Sequence, residues 1–152
     1  MKLSTNFSLQ ELTKSDIAIR MQIDNTASPQ VVENLQALVD NVLQPLRDAF
    51  GPIIVTSGYR SKAVNKACGG STASHHCQGH AADFEALGVD NRELSLYIKE
   101  HLKFTQLILE FYEDGVPDSG WVHCAYDSKD LKGQVLTARK VNGRTKYDNG
   151  IV

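Results

Sequence analysis

The stretch Ser74-His75-His76-Cys77-Gln78-Gly79-His80-Ala81-Ala82-Asp83 brings imidazoles and a carboxylate close together along the chain. Neutral imidazole and carboxylate are ordinary zinc ligands, and the small residues Gly79, Ala81 and Ala82 let other groups approach closely. If Gly79 to Glu85 forms a strand, Ala81, Asp83 and Glu85 share one face while His80 and Ala82 share the other. His80 then points away from Asp83, whereas a histidine of the preceding loop can return over the Asp83 face where Gly79 turns the chain. The helical alternative, His76 and His80 as a ligand pair one turn apart, is opposed by Gly79 between them, a poor helix former. A third ligand has to come from elsewhere. His123, in Gly120-Trp121-Val122-His123-Cys124, lies on a later strand able to neighbour this one. Two nitrogens and one carboxylate oxygen leave a fourth position on a tetrahedral ion for water, the pattern of a catalytic rather than a structural zinc site.

The elements that must hold these residues follow from periodicity and punctuation. Ser8 and Glu11 form a capping box, with Phe7 and Leu12 placed as a hydrophobic staple, and a second short helix starts at Ser15. After Ser28-Pro29, the positions Val31, Val32, Leu35, Leu38, Val39, Val42, Leu43, Leu46 and Phe50 repeat at helical spacing up to Gly51. This long helix is scaffold, and Pro45 is expected to kink it or end its regular part. Pro52 to Thr56 reads as a β-branched strand leading through Ser57-Gly58 into a loop that carries Tyr59 and Arg60. Ser61 to Ala67 reads as a brief helix, and Asp90 with Glu93 caps another that carries Leu94, Tyr97, Ile98 and Leu102. Strands at about Gln106–Tyr112 and Trp121–Tyr126 are joined by a turn-rich loop and form a wide hairpin. Asn142-Gly143 signals a second hairpin between Val135–Val141 and Arg144–Tyr147. Helices first and strands mostly later imply an α+β fold: a small, mainly antiparallel sheet flanked by N-terminal helices.

Composition narrows the possibilities. At 152 residues the chain suits one domain, residues 1–152, and 41% apolar residues argue against disorder. A formal charge of −2, with no long basic run, disfavours nucleic acid as the main partner; the basic hairpin residues Arg139, Lys140, Arg144 and Lys146 read as a solvated surface. No apolar stretch is long enough for a membrane span, and Met1 to Lys14 lacks the apolar core of a signal peptide. We therefore expect synthesis in the cytoplasm. Three cysteines, Cys68, Cys77 and Cys124, do not make a disulfide framework and are expected to be reduced. Cys77 and Cys124 each follow a proposed ligand, but strand alternation should turn Cys124 away from His123, and both are read as packing residues.

The segment Ser74 to Asp83 matches S-x-H-x-x-G-x-A-x-D, and the chain resembles the zinc D-alanyl-D-alanine carboxypeptidase/endopeptidase family, peptidoglycan peptidases of the Hedgehog/DD-peptidase fold. The likeness extends through Ile54-Val55-Thr56-Ser57-Gly58-Tyr59-Arg60-Ser61, Asn65, Gly69-Gly70, Gln106-Leu107-Ile108-Leu109-Glu110 and Trp121-Val122-His123, over roughly residues 5 to 126. The resemblance implies Zn²⁺ held by His76, Asp83 and His123. It puts a substrate-carboxylate arginine at Arg60 and the motif serine at Ser74, with Tyr59 beside Arg60 expected to touch substrate. His75 and His80 fall at variable positions.

One departure matters. Many members carry the catalytic acid three residues before the last histidine, where this chain has Gly120. The Gln106-Leu107-Ile108-Leu109-Glu110 strand before Trp-Val-His resembles the branch of the family that keeps its glutamate there, which implies Glu110 as the base; a hairpin would bring it beside His123, and Asp118 and then Glu85 are the competitors. The implied activity is hydrolysis of a peptidoglycan peptide bond involving a D-amino acid, by a monomer acting as carboxypeptidase or cross-link endopeptidase. The alternative is a zinc-containing module that only binds cell-wall peptide or a protein. Without a signal peptide the enzyme would need another route to the wall, as a phage or prophage lysis enzyme has.

Overall fold

The computed structural model describes residues 1–71 and 73–152. The chain opens with two short helices, α1 (Leu9–Thr13) and α2 (Asp16–Met21), capped by Ser8 and Ser15. The capping box is present: Ser8 Oγ accepts from the Glu11 N–H, and Glu11 reaches back to the Ser8 N–H. The long helix begins as α3 (Pro29–Leu38) with Ser28 as its cap, and it continues as α4 (Gln44–Phe50) to Gly51. The expected kink at Pro45 takes the form of a widened π-helical turn, Val39–Leu43. Pro45 has no N–H to return to the preceding turn, and the Gln44 N–H bonds the Val39 carbonyl five residues back. The helix thus passes Pro45 without breaking, and its apolar face stays continuous: Leu35, Leu38, Val39, Val42, Leu43 and Leu46 are all fully buried.

Six strands follow the long helix: β1 (Ile53–Ser57), β2 (Ala81–Ala86), β3 (Gln106–Glu110), β4 (Trp121–Ala125), β5 (Gln134–Val141) and β6 (Arg144–Asn149). Between β1 and β2 lie α5 (Lys62–Ala67) and a 3₁₀ turn (His75–Gln78); α6 (Asn91–His101) precedes β3. All six strands form one sheet in the order β1-β2-β4-β3-β5-β6. The expected wide hairpin is β3–β4, with Glu110 opposite Trp121, and the second hairpin is β5–β6. One pair departs from the antiparallel pattern, since β3 and β5 run parallel. The cause is topological: β4 ends beside the start of β3, and the chain then crosses that end and sets out alongside β3 in the same direction. The crossing is tied down where the Gly133 and Gln134 N–H groups bond the Phe104 and Thr105 carbonyls.

Alternation along the strands assigns the two faces of the sheet to different tasks. Ala82, Phe84 and Ala86, Leu107 and Leu109, and Val122 and Cys124 point inward and join the long helix and the α6 residues Leu94 and Ile98 in the core. The intervening residues Asp83, Ile108, Glu110, Trp121 and His123 line a cleft on the opposite face. Burying each large apolar side chain contributes roughly 1.5–3 kcal/mol, so the inward row is what holds the outward row in place. No helix among the described residues is long and apolar enough to cross a membrane.

Candidate metal centre

Asp83 occupies the middle of β2, and β4 places His123 directly opposite it. His123 Nδ1 lies 2.9 Å from Asp83 Oδ1. The third group arrives from the 3₁₀ turn. Ser74 caps that turn, its Oγ accepting from the His76 N–H at 3.2 Å, and the chain leaves through Gly79 at φ +75°. His76 is thereby folded back over β2, with Nε2 3.4 Å from Asp83 Oδ1. Its other ring nitrogen, Nδ1, lies 2.8 Å from the Gly58 carbonyl. A carbonyl only accepts, so Nδ1 carries a proton, and Nε2 is the nitrogen that faces Asp83 and is left to act as a ligand. A backbone carbonyl holding the non-ligating nitrogen is the usual way that a metal-binding histidine is oriented.

Gly58 can make that bond because it has no side chain. A Cβ at this position would overlap the Leu12 carbonyl oxygen, to which the neighbouring Tyr59 N–H is bonded at 2.8 Å. The Arg60 N–H in turn bonds the His76 carbonyl at 3.1 Å. Asn25 closes the arrangement from the other side: its Nδ2 donates to the Thr13 and Tyr59 carbonyls and its Oδ1 accepts from the Ser61 N–H. Sequence reasoning missed Asn25. Nothing in its local pattern distinguishes it from an ordinary loop asparagine, yet it braces the loop that carries Arg60.

One donor atom from each of His76, Asp83 and His123 lies within 4.8 Å of the others, and both histidines are buried. Two imidazoles and a carboxylate form a donor set that suits a borderline-soft divalent ion such as zinc. Burial by itself would raise the Asp83 pKa, but hydrogen bonds from His123 and His76 outweigh it and hold the carboxyl well below the usual range. The site therefore presents an ionised oxygen. His75, also on the cleft, is driven toward its neutral form by burial and by the neighbouring imidazoles.

The centre opens into a cleft of about 490 Å³ that also takes in Arg60, Ser74, Gln106, Glu110, Trp121 and Tyr147. Glu110 ends β3, and its Oε2 accepts from Trp121 Nε1 at 2.6 Å. Burial, together with the Asp83 charge, lifts the Glu110 pKa above its ordinary value; His123, the Trp121 bond and Arg60 offset this only in part. Arg60 Nε is buried and has no hydrogen-bond partner among the described residues.

Several residues lie elsewhere. Tyr59, expected at the substrate, is instead a core residue, 9% exposed and not among the described residues lining the cleft. The bonds from its backbone to Leu12 and Asn25 turn it inward, and only the next residue, Arg60, reaches the cleft. The two competitors for Glu110 stand in a different hollow, around Ile54 and Leu87; there Asp118 lines the wall and Glu85 accepts a hydrogen bond from Asn91. His80 points away from the centre, toward Asp127. Cys124 is fully buried on the core face, where burial pushes its thiol pKa far up, and all three cysteines are free.

Gly120 has φ +62°, and a Cβ there would overlap the Glu110 carbonyl oxygen. The close approach of the two strand ends thus leaves no room for an acid at this position. Tyr147, which no reading of the sequence picked out, reaches the cleft from β6.

The His-Asp-His cluster at the cleft on the outer face of this sheet is a group able to hold a divalent metal ion. The chain belongs to the Peptidase M15 family, whose model matches residues 5–125, a zinc-dependent family. None of the curated proteins matches the chain.

Proposed function

We propose that the protein is a zinc metallopeptidase that hydrolyses peptidoglycan peptide bonds involving a D-amino acid. The observation that carries this reading is the convergence of His76, Asp83 and His123 at the floor of a cleft whose wall holds a carboxyl of raised pKa, Glu110. His76 through Nε2, Asp83 through Oδ1 and His123 through Nδ1 would hold the ion. When bound, zinc supplies Lewis acidity, bringing the pKa of water down toward ~7 and polarising a carbonyl.

The chain's own groups do the rest. Glu110 accepts a proton from the attacking water and returns one to the amine nitrogen as the C–N bond breaks. Its raised pKa moves it toward the neutral range, where a carboxyl can serve both steps, and the Trp121 N–H fixes which way it faces. Arg60 binds the carboxylate of the substrate; its buried, unpartnered Nε gains an acceptor, and the planar guanidinium offers two parallel bonds that a lysine does not. Ser74 contributes by setting the turn that aims His76 and by lining the cleft.

The deciding experiment combines metal analysis of the purified protein with mass-resolved digestion of cell-wall peptides. About one zinc per chain is expected, with products whose masses locate the cleaved bond. Replacing Glu110 by Gln should cost roughly 10²–10⁴-fold in rate while leaving the zinc in place. A zinc-loaded wild type that binds wall peptide and releases no product would establish the non-catalytic module, the reading suggested by the absence of an acid at position 120.

A further inference from the structure

The cleft does not end at the metal centre. On the outer face of the sheet, strand pairing sets Trp121 opposite Glu110, Glu110 opposite Ala138, and Ala138 opposite Tyr147, in one row across β4, β3, β5 and β6. Ala138 presents only a methyl and is fully buried, whereas Tyr147 is 54% exposed and lines the same cleft as Asp83 and His123. At the usual strand spacing, Tyr147 stands about 10 Å from Glu110, two strands further out. Arg60, which follows β1, lies at the other end of the sheet order. The hairpin that carries Tyr147 falls outside the matched residues 5–125.

From this placement we infer that Tyr147 forms a distal subsite for the peptide chain on the N-terminal side of the scissile bond, making the enzyme select longer substrates. The inference rests on the peptidase reading. A substrate whose C-terminal carboxylate sits on Arg60, and whose scissile bond lies over the centre, must run its N-terminal portion toward β5 and β6. There the first large side chain it meets beyond Glu110 and Ala138 is the tyrosine. An exposed tyrosine ring offers a rigid amphipathic contact area at little cost in side-chain entropy. Because the contact is remote from the reacting atoms, it binds ground state and transition state alike and acts through KM.

The test uses the zinc-loaded full chain and synthetic peptides of two to five residues, all ending in D-Ala-D-Ala. For the wild type, kcat/KM should rise with length by about tenfold, the size of effect that one well-placed aromatic contact has. Tyr147→Ala should remove that gain through KM, and Tyr147→Phe, which keeps the ring, should retain it. Binding is read separately in a Glu110→Gln background from the fluorescence of Trp121, the single tryptophan, which lies in the cleft. The same length dependence, lost in Tyr147→Ala, is expected there. A length preference that survives Tyr147→Ala, or a Phe variant no better than Ala, overturns the subsite. If the wild type cleaves none of the peptides, hydrolysis of the carboxy-terminal D-Ala-D-Ala bond is ruled out, while the fluorescence titration still decides the role of Tyr147.

Discussion

Gly58 and Trp121 each act through a neighbour, and both can be tested by single substitutions. The Gly58 carbonyl holds His76 Nδ1, and the missing side chain lets α1 and the loop after β1 approach closely. Gly58→Ala sets a Cβ against the Leu12 carbonyl oxygen and forces the backbone to shift, taking the residue-58 carbonyl away from His76 Nδ1, so zinc affinity should drop about 10–100-fold, the usual cost of disturbing a group that orients a ligand. Competition titration with a chromogenic chelator measures it. Trp121 donates to Glu110 Oε2, a bond that favours the charged carboxylate. Trp121→Phe removes the bond, so the Glu110 pKa rises further and the base form is reached only at higher pH. The acidic limb of the kcat/KM profile should therefore move to higher pH, with the alkaline side little changed. A limb that stays in place or moves down would mean that another group takes the proton.

At the scale of elements, the tight meeting of β3 and β4 explains why the proposed general base is on β3 and not at position 120. An acid introduced at position 120 would have to occupy φ +62° and displace the Glu110 carbonyl. Gly120→Asp should accordingly fail to restore activity to a Glu110→Gln protein and should lower stability by at least about 1–2 kcal/mol from the backbone conformation alone, measurable by urea denaturation. The core side of the sheet is equally sensitive: Phe84 of β2, fully buried beside Asp83, should cost about 3–5 kcal/mol when replaced by Ala.

These elements were legible in the sequence to different degrees, for physical reasons. The long helix, the caps and both hairpins follow from local periodicity and turn chemistry, and His76, Asp83 and His123 from a motif whose ligand types and spacing are specific. The parallel pairing of β3 with β5, and with it Tyr147, was not legible. Pairing between segments separated by a whole hairpin is decided by how the chain crosses the sheet end, and no residue pattern records that. Tyr59 is expected at the substrate as the neighbour of Arg60, whereas its inward direction is set by backbone bonds to Leu12 and Asn25, residues distant in sequence that no local pattern connects to it.

For the molecule as a whole, the centre adds a link between a turn, an inner strand and the strand that returns from the wide loop. An ion bound there stabilises the folded chain over the unfolded one, by about 2.7 kcal/mol at a free concentration one hundred times Kd. Differential scanning calorimetry should show Tm rising with added zinc and falling to the metal-free value with a chelator, while Asp83→Ala should abolish the response. A zinc-independent Tm would separate the centre from the fold's stability.

The two-faced sheet also couples core and chemistry through reading frame. Val122 and Cys124 serve one side of β4 while Trp121 and His123 serve the other, so removing a single residue within this strand would exchange their destinations. An imidazole would be driven into the apolar interior as a valine took its place at the ion. Substitutions can therefore tune either side independently, but insertions and deletions in the strands abolish both at once, leaving the connecting loops as the places where the length of this chain is free to vary.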